Sequence, residues 1–368
     1  IEPVDARQNS VPLASLGSHF LLPARDHNSF STNIRHKIQL LFLSDATKQY
    51  YLPLSVHNHT CRDWVDCKRS TFVRTYGKDQ PLDIYSMQYK KITINPLSGA
   101  MGAEIGGVDL SQRLDNQTFD EIHQALLENL VIIFHDQTLG PDECKAFARK
   151  FGSLEPYPFV KGLPEHPEIF EIRKEPDEKR NFGGKWHSDM SFTNMPPMGT
   201  MLYALEVPSK GGDTMLTNLY LAYDSLSDGM KELLEGMNAE YSAALKNSGG
   251  RVARMNSTRF DVANLDRAEE ASFHPIIRTH PQTNKKALYI SAAHLARFED
   301  MTVEESKPLL DFLREHASEP DFTCRVPYRK GTLVLWDNRC TQHRALNDYH
   351  GERRVMHRLT IGSSEVPQ

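Results

Sequence analysis

The sequence predicts an α+β protein whose core is a β-sandwich or barrel of many short strands, with helices packed to its side. Short apolar segments recur between irregular loops from about residue 131 to 361. Helix-period segments are fewer and lie mostly outside that run of strands. At 368 residues, 39% of them hydrophobic, the chain is long enough to bury a substantial core.

The elements follow in order. Phe119, Ile122, Ala125, Leu126 and Leu127 mark an amphipathic helix over 119–129, which runs into a short apolar strand, Val131–Phe134. A second helix is expected over 142–151. Strands are then expected at 169–172, 200–205, 214–217, 287–291, 322–326, 332–336 and 356–361. Helical sequence between Leu219 and Met237 is punctuated by Ser227-Asp228-Gly229. Thr302-Val303-Glu304-Glu305 is a capping box opening a helix to about His316, with Leu309, Leu310 and Leu313 inward.

The first 86 residues have a different character. All 12 methionines fall at or after Met87, where an even spread would leave about three before it. Residues 1–86 carry 10 basic and 8 acidic side chains against 33 and 40 in the remainder, and little periodicity beyond the apolar run at 38–43. The expectation is a poorly ordered extension or translated upstream sequence over 1–86, and one domain over 87–368. His57, His59, Cys61 and Cys67 sit close together in the leader, but their spacing matches no common zinc module, so coincidence is the preferred reading.

Composition excludes several function classes. No stretch approaches the ~18 consecutive apolar residues of a spanning helix. A formal net charge of −5 offers no basic excess for nucleic acid. Five scattered cysteines do not form a disulfide framework, and no N-terminal stretch combines a basic start, an apolar run and a small-residue cleavage site, so a cytoplasmic location is expected.

Trp186-His187-Ser188-Asp189 places an imidazole and a carboxylate two residues apart, able to reach one metal from a strand or strand edge. His166-Pro167-Glu168 repeats the pattern between prolines. After the apolar run 332–336 come Asp337-Asn338-Arg339-Cys340-Thr341-Gln342 and then His343, a third ligand candidate on a rigid element. Two histidines and one carboxylate on one face of a metal are the donor set of non-haem Fe(II) oxygenases. Arg354 and Arg358 are four apart, so on a strand they share a side, and guanidinium is the planar, bidentate partner of carboxylates and sulfonates. A catalytically silent jelly-roll binding protein and a metal-dependent hydrolase are the alternatives.

These residues resemble the TauD/TfdA-like family of Fe(II)- and 2-oxoglutarate-dependent dioxygenases. The resemblance covers about 87–362 and includes Gly102-Ala103-Glu104-Ile105-Gly106-Gly107-Val108-Asp109-Leu110, Trp186–Asp189, Gly211-Gly212-Asp213-Thr214, Trp336–His343 and Arg353–Arg358. It implies a double-stranded β-helix (jelly-roll) with flanking helices. It also implies His187, Asp189 and His343 as ligands of Fe(II), and Arg354 and Thr214 as partners of the distal carboxylate of 2-oxoglutarate. Arg358 matches the arginine that holds the substrate's sulfonate in the taurine enzyme. The implied reaction consumes 2-oxoglutarate and O₂, releases succinate and CO₂, hydroxylates a small organic acid, and cleaves C–S or C–O bonds where the hydroxylated carbon bears the heteroatom.

The taurine enzyme's His-Pro-Val-Tyr stretch is replaced here by Tyr157-Pro158-Phe159-Val160, and Gly183 stands where it has an asparagine. These departures, with blocks closer to the phenoxypropionate-cleaving members, point to a larger, more apolar substrate with a carboxylate, sulfonate or sulfate head. Tyr157, Phe159 and His294 are further substrate-binding candidates. Trp186 and Trp336 are expected to fill core, and Asp337 and Asn338 to shape the turn before His343. Related enzymes commonly self-associate, which leaves a homo-oligomer open; no nucleic-acid or membrane partner is expected.

Overall fold

The computed structural model describes residues 89–244 and 250–368. They all belong to the second of two units into which the chain divides, Leu82–Gln368. The boundary at Met87 and the His57, His59, Cys61, Cys67 cluster lie outside the described residues.

Sixteen strands are described: β1 (Thr93–Pro96), β2 (Ala103–Gly106), β3 (Val131–Phe134), β4 (Leu154–Glu155), β5 (Ile169–Lys174), β6 (Gly199–Glu206), β7 (Thr214–Asn218), β8 (Asn238–Ser242), β9 (Ala271–Pro275), β10 (Ile277–Thr279), β11 (Lys286–Leu288), β12 (Leu295–Phe298), β13 (Thr323–Val326), β14 (Leu333–Asp337), β15 (Thr341–Ala345) and β16 (Arg354–Ile361). The helices are α1 (Asn116–Asn129), α2 (Pro141–Ala148), α3 (Leu219–Asp224), α4 (Asp228–Leu234), α5 (Arg251–Asn256) and α6 (Val303–His316).

The large sheet has the order β1-β2-β3-β14-β6-β16-β4, with β5 also paired to β16. Its central strands are buried on both faces, which is why they read as unbroken apolar runs rather than alternating ones. Side chains still alternate by face. Val334, Trp336, Leu202, Ala204 and Met356 meet Leu216, Cys324 and Val326 of a second sheet, β13-β7-β15. Leu333, Leu335, Met201, Tyr203 and Leu359 face the other way, onto Ile122 and Leu126 of α1 and Phe147 of α2. The expected α+β class, a β core with flanking helices, is what forms.

Helix ends obey their caps. The Asp115 side chain accepts from the Thr118 backbone N–H, so α1 starts at Asn116, three residues before its apolar stripe. The Thr302–Glu305 capping box forms, and α6 buries Leu310 and Leu313 while Leu309 is half-buried. One expected strand is shorter: β11 stops at Leu288, because Ser291 leaves the ladder and its hydroxyl accepts from the Ser188 backbone N–H at 3.1 Å.

The turn joining β14 to β15 is built around a buried carboxylate. Asp337 accepts from Arg339 Nε at 2.9 Å, from Arg339 Nη2 at 2.6 Å and from His280 Nε2 at 3.0 Å. His280 Nδ1 in turn accepts from the backbone N–H groups of Gln282 and Thr283. Burial pushes the Asp337 carboxyl up, but Arg339 and His280 outweigh it and hold it far below the usual range. Both carboxylate oxygens are thereby occupied, so this cluster, which also includes Cys340, reads as a structural knot rather than a metal site. Removing one partner of a buried ion pair leaves the other uncompensated. Asp337→Ala is therefore expected to lower stability by about 3–5 kcal/mol, measured by denaturant unfolding.

Candidate metal centre

His187 and His343 are 156 positions apart in the chain but directly opposed in space. They form an antiparallel bridge in which the His187 N–H donates to His343 O at 3.0 Å and the His343 N–H donates to His187 O at 2.8 Å. Residues opposed in this way project from the same face, and the imidazole centroids are 4.2 Å apart. Two residues on, Asp189 reaches the same point, just before the chain turns at Met190, a non-glycine at φ 46°. Asp189 Oδ1 lies 3.6 Å from His187 Nε2, and its Oδ2 lies 3.7 Å from His343 Nε2. Donors each ~2.1 Å from one ion are separated by such distances, and the three residues form a cluster able to hold a metal.

The protonation states suit ligation. His187 Nδ1–H donates to Lys185 O at 2.7 Å, which leaves the Nε2 lone pair facing the centre. Burial, reinforced by the neighbouring imidazole, pushes His343 down to about 3, and burial lowers His187 too, so both rings are neutral near pH 7. Burial pushes Asp189 up, but Arg358, His343, His187 and the Thr200 hydroxyl together hold it well below the usual carboxylate range.

A relay of side chains orients the carboxylate. Trp336 Nε1–H donates to Asn338 Oδ1 at 3.0 Å, and Asn338 Nδ2 donates to Thr200 Oγ1 at 2.9 Å. Thr200 Oγ1–H then donates to Asp189 Oδ2 at 2.7 Å. Trp336 also lies against the His343 ring, with centroids 4.6 Å apart, so this indole fills core and steadies two ligands. Sequence reasoning missed Thr200, although a threonine ahead of the inward apolar Leu202 and Ala204 on β6 was the available signal.

Beside the centre a cavity is lined by Thr214, Arg354, Arg358, Trp336, His187 and His343. Arg354 is 5% exposed, yet its Nε and Nη2 have no hydrogen-bond partner. That edge of a guanidinium is the one that grips a carboxylate through two parallel bonds. Thr214 Oγ1 accepts from Tyr328 OH at 3.0 Å, and the Arg354 guanidinium stacks on the Tyr328 ring. Gly212, at φ 72°, lets Arg354 through, since a Cβ there would meet Arg354 Cδ at 3.2 Å.

A second cavity, which shares His187 and Arg358 with the first, is lined by Tyr157, Asp189 and His294. Arg358 Nη2 is 3.0 Å from Asp189 Oδ1, but neither it nor Nε makes an aligned hydrogen bond. The Tyr157 ring lies 5.0 Å beneath this guanidinium. His294 Nδ1 is bonded to Ser191 Oγ at 2.9 Å, and burial holds the ring neutral. Phe159 is fully buried behind the wall, in contact with the face of Arg251. His166 and Glu168 are elsewhere, beside Asp142 and Arg149. Arg251 and Arg254, which line this second cavity, carried no signal in the sequence.

Comparisons with known proteins agree with the geometry. The family model described as taurine catabolism dioxygenase TauD, TfdA family matches residues 93–360. An alkylsulfatase of Acinetobacter baylyi is 34% identical over 275 residues, 74% of this chain and 85% of the relative. The 2-oxoglutarate-dependent 2,4-dichlorophenoxyacetate dioxygenase of Cupriavidus pinatubonensis is 32% identical, over 73% of this chain and 97% of the relative. The crystal structure of a taurine dioxygenase from Burkholderia xenovorans superposes with a TM-score of 0.64 at 32% identity, covering 76% of this chain and 93% of that one.

The relay sets an expectation for Thr200. Thr200→Val should weaken binding of Co(II), used as a spectroscopic probe, by roughly 10- to 100-fold, as loss of a ligand-orienting partner does elsewhere. Thr200→Ser, which keeps the hydroxyl, should bind nearly as the native protein does.

Proposed function

The chain belongs to the TauD, TfdA family of dioxygenases, and from that premise we propose the chemistry of its site. It is a 2-oxoglutarate-dependent dioxygenase acting on a small anionic organic molecule. His187, Asp189 and His343 hold one ferrous ion, Arg354 and Thr214 hold the distal carboxylate of 2-oxoglutarate, and Arg358 receives the anionic head of the substrate. The substrate class is a sulfate ester, a sulfonate or an aryloxyalkanoate, the kinds of molecule named for the relatives. The protein works in the cytoplasm.

One observation carries this reading. Two buried guanidinium edges without hydrogen-bond partners project from the same face of β16, into adjoining cavities beside a His-Asp-His cluster. A zinc hydrolase needs one open metal position and no second dedicated anion site. Bound iron with 2-oxoglutarate and O₂ would supply the oxidation, one oxygen atom leaving in succinate as CO₂ is lost and the other entering a substrate C–H bond.

The chain's own residues position and shield. Arg354 and Thr214 fix one end of the keto acid, with Tyr328 holding the Thr214 hydroxyl in place. Arg358 and the Tyr157 face set the distance of the substrate carbon from the centre. His294, held neutral by burial, and Met190 and Phe192 keep bulk water from the reacting carbon. Where that carbon carries the ester or ether oxygen, or the sulfonate sulfur, its hydroxylated form collapses to a carbonyl and releases sulfate, a phenol or sulfite.

The test is succinate release from purified protein given Fe(II), 2-oxoglutarate, O₂ and a panel of sulfate esters, sulfonates and aryloxyalkanoates. At least one substrate should couple to succinate, and Asp189→Ala should give none. Oxygen-independent turnover with zinc would instead favour the hydrolase. Arg354→Ala should raise the KM for 2-oxoglutarate by roughly 10- to 150-fold, the equivalent of ~1.5–3 kcal/mol for a hydrogen bond to a charged group.

A further inference from the structure

Beyond Arg358 the wall of the substrate cavity stays cationic. Arg251, the first residue of α5, is 5% exposed and its polar atoms all meet neutral acceptors. Its Nε donates to Ala243 O at 2.7 Å, Nη1 to Tyr157 OH at 3.2 Å and Nη2 to His294 Nε2 at 3.3 Å. Arg254 is half-buried on the same wall, near enough to lower the basicity of both Arg251 and His187. No carboxylate pairs with either arginine among the described residues, and Asp189 is the one acid on this wall.

The charges do not balance for a singly charged substrate. A divalent ion and dianionic 2-oxoglutarate cancel. Asp189 is paired with Arg358, and a singly charged substrate head offsets one more guanidinium, that of Arg354 being met by 2-oxoglutarate. Arg251 and Arg254 remain, one of them buried, and a buried cation without a counter-charge costs several kcal/mol. A cavity meant only for a hydrocarbon tail would be better served there by the apolar side chains that already line it, Met190, Phe192 and Met255.

From this charge arrangement, and resting on the reading of the site given above, we propose that the substrate is a dianion with acidic groups at both ends. One end pairs with Arg358 beside the metal; the second, a carboxylate or equivalent, pairs with Arg254 and the outer edge of Arg251. Tyr157 lies between the two anion positions, stacked on Arg358 and bonded through its hydroxyl to Arg251.

The experiment measures equilibrium binding by calorimetry under nitrogen, with protein loaded with Fe(II) and 2-oxoglutarate. Probes are matched pairs of three to eight carbons with sulfate, sulfonate or aryloxyacetate heads, such as hexyl sulfate and 6-sulfooxyhexanoate. Members of a pair differ only in a terminal methyl or carboxylate. For at least one pair the dianion should bind about tenfold tighter or better, the equivalent of one charge-assisted hydrogen bond. In Arg254→Gln that preference should shrink to about twofold or less, with the methyl-ended partner unaffected. Equal affinity within every pair, no binding by any probe, or a preference that survives Arg254→Gln overturns the proposal. The dioxygenase reading is scored separately, by succinate release in air from whichever probe binds. It survives if the methyl-ended probes turn over equally well.

Discussion

The site depends on one backbone contact, the antiparallel bridge between His187 and His343. His187 follows an irregular loop, whereas His343 sits in the middle of β15, paired with Leu216 of β7. The bridge fixes both at once: two peptide hydrogen bonds set the spacing of the rings, and Asp189, just before the turn at Met190, reaches between their Nε2 atoms. Everything that steadies the bridge therefore steadies the His-Asp-His cluster. The Asp337–Arg339–His280 knot holds the start of β15, Ser291 holds Ser188, and the Trp336–Asn338–Thr200 chain ends on the carboxylate itself.

The second constraint is strand alternation along β16. Arg354, Met356 and Arg358 point into the space between the sheets, while Leu359 and Ile361 face the helices. Period-two geometry thus sends two guanidinium groups into a low-dielectric interior, one apolar residue between them. A buried arginine is tolerated when its charge is met. Here the fork of Arg354 and that of Arg358 are left without aligned partners by the chain itself, so the interior carries the shape and sign of the molecules it is meant to receive.

The sequence made the fold legible where burial is two-sided or where a cap carries the signal. Val131–Phe134, the run ending in Trp336 and the capping box at Thr302 all form as read. It was silent on β15, Thr341–Ala345, whose polar composition looks like loop but whose first three residues are buried. The reason is physical: Thr341 and Gln342 are buried on hydrogen bonds to Asp337 O and the Ala292 N–H, and His343 faces the cavity, so alternation of hydrophobicity cannot mark them. The candidate cluster His187, Asp189 and His343 could be picked out because chemistry limits which residue types can hold a metal, and the structure brings the three together. Thr200, Arg251 and Arg254 could not, because an orienting hydroxyl or a cavity cation has no fixed spacing from the ligands and becomes visible only when distant segments are brought together.

Several local rules fail at the site. Met190 adopts a left-handed backbone conformation that a β-substituted residue enters at a cost, and His343 Nδ1 and the guanidinium edges of Arg354 and Arg358 are buried without partners. Each is unfavourable for the chain by itself. The surrounding structure holds them because the apolar faces of β6 and β14, buried on both sides, resist rearrangement. A group that brings two or more negative charges and a metal would relieve several of these costs together, so binding and stability are coupled through the same atoms. That coupling runs through Arg354 and Arg358 alike: each stays costly until an anion meets its guanidinium.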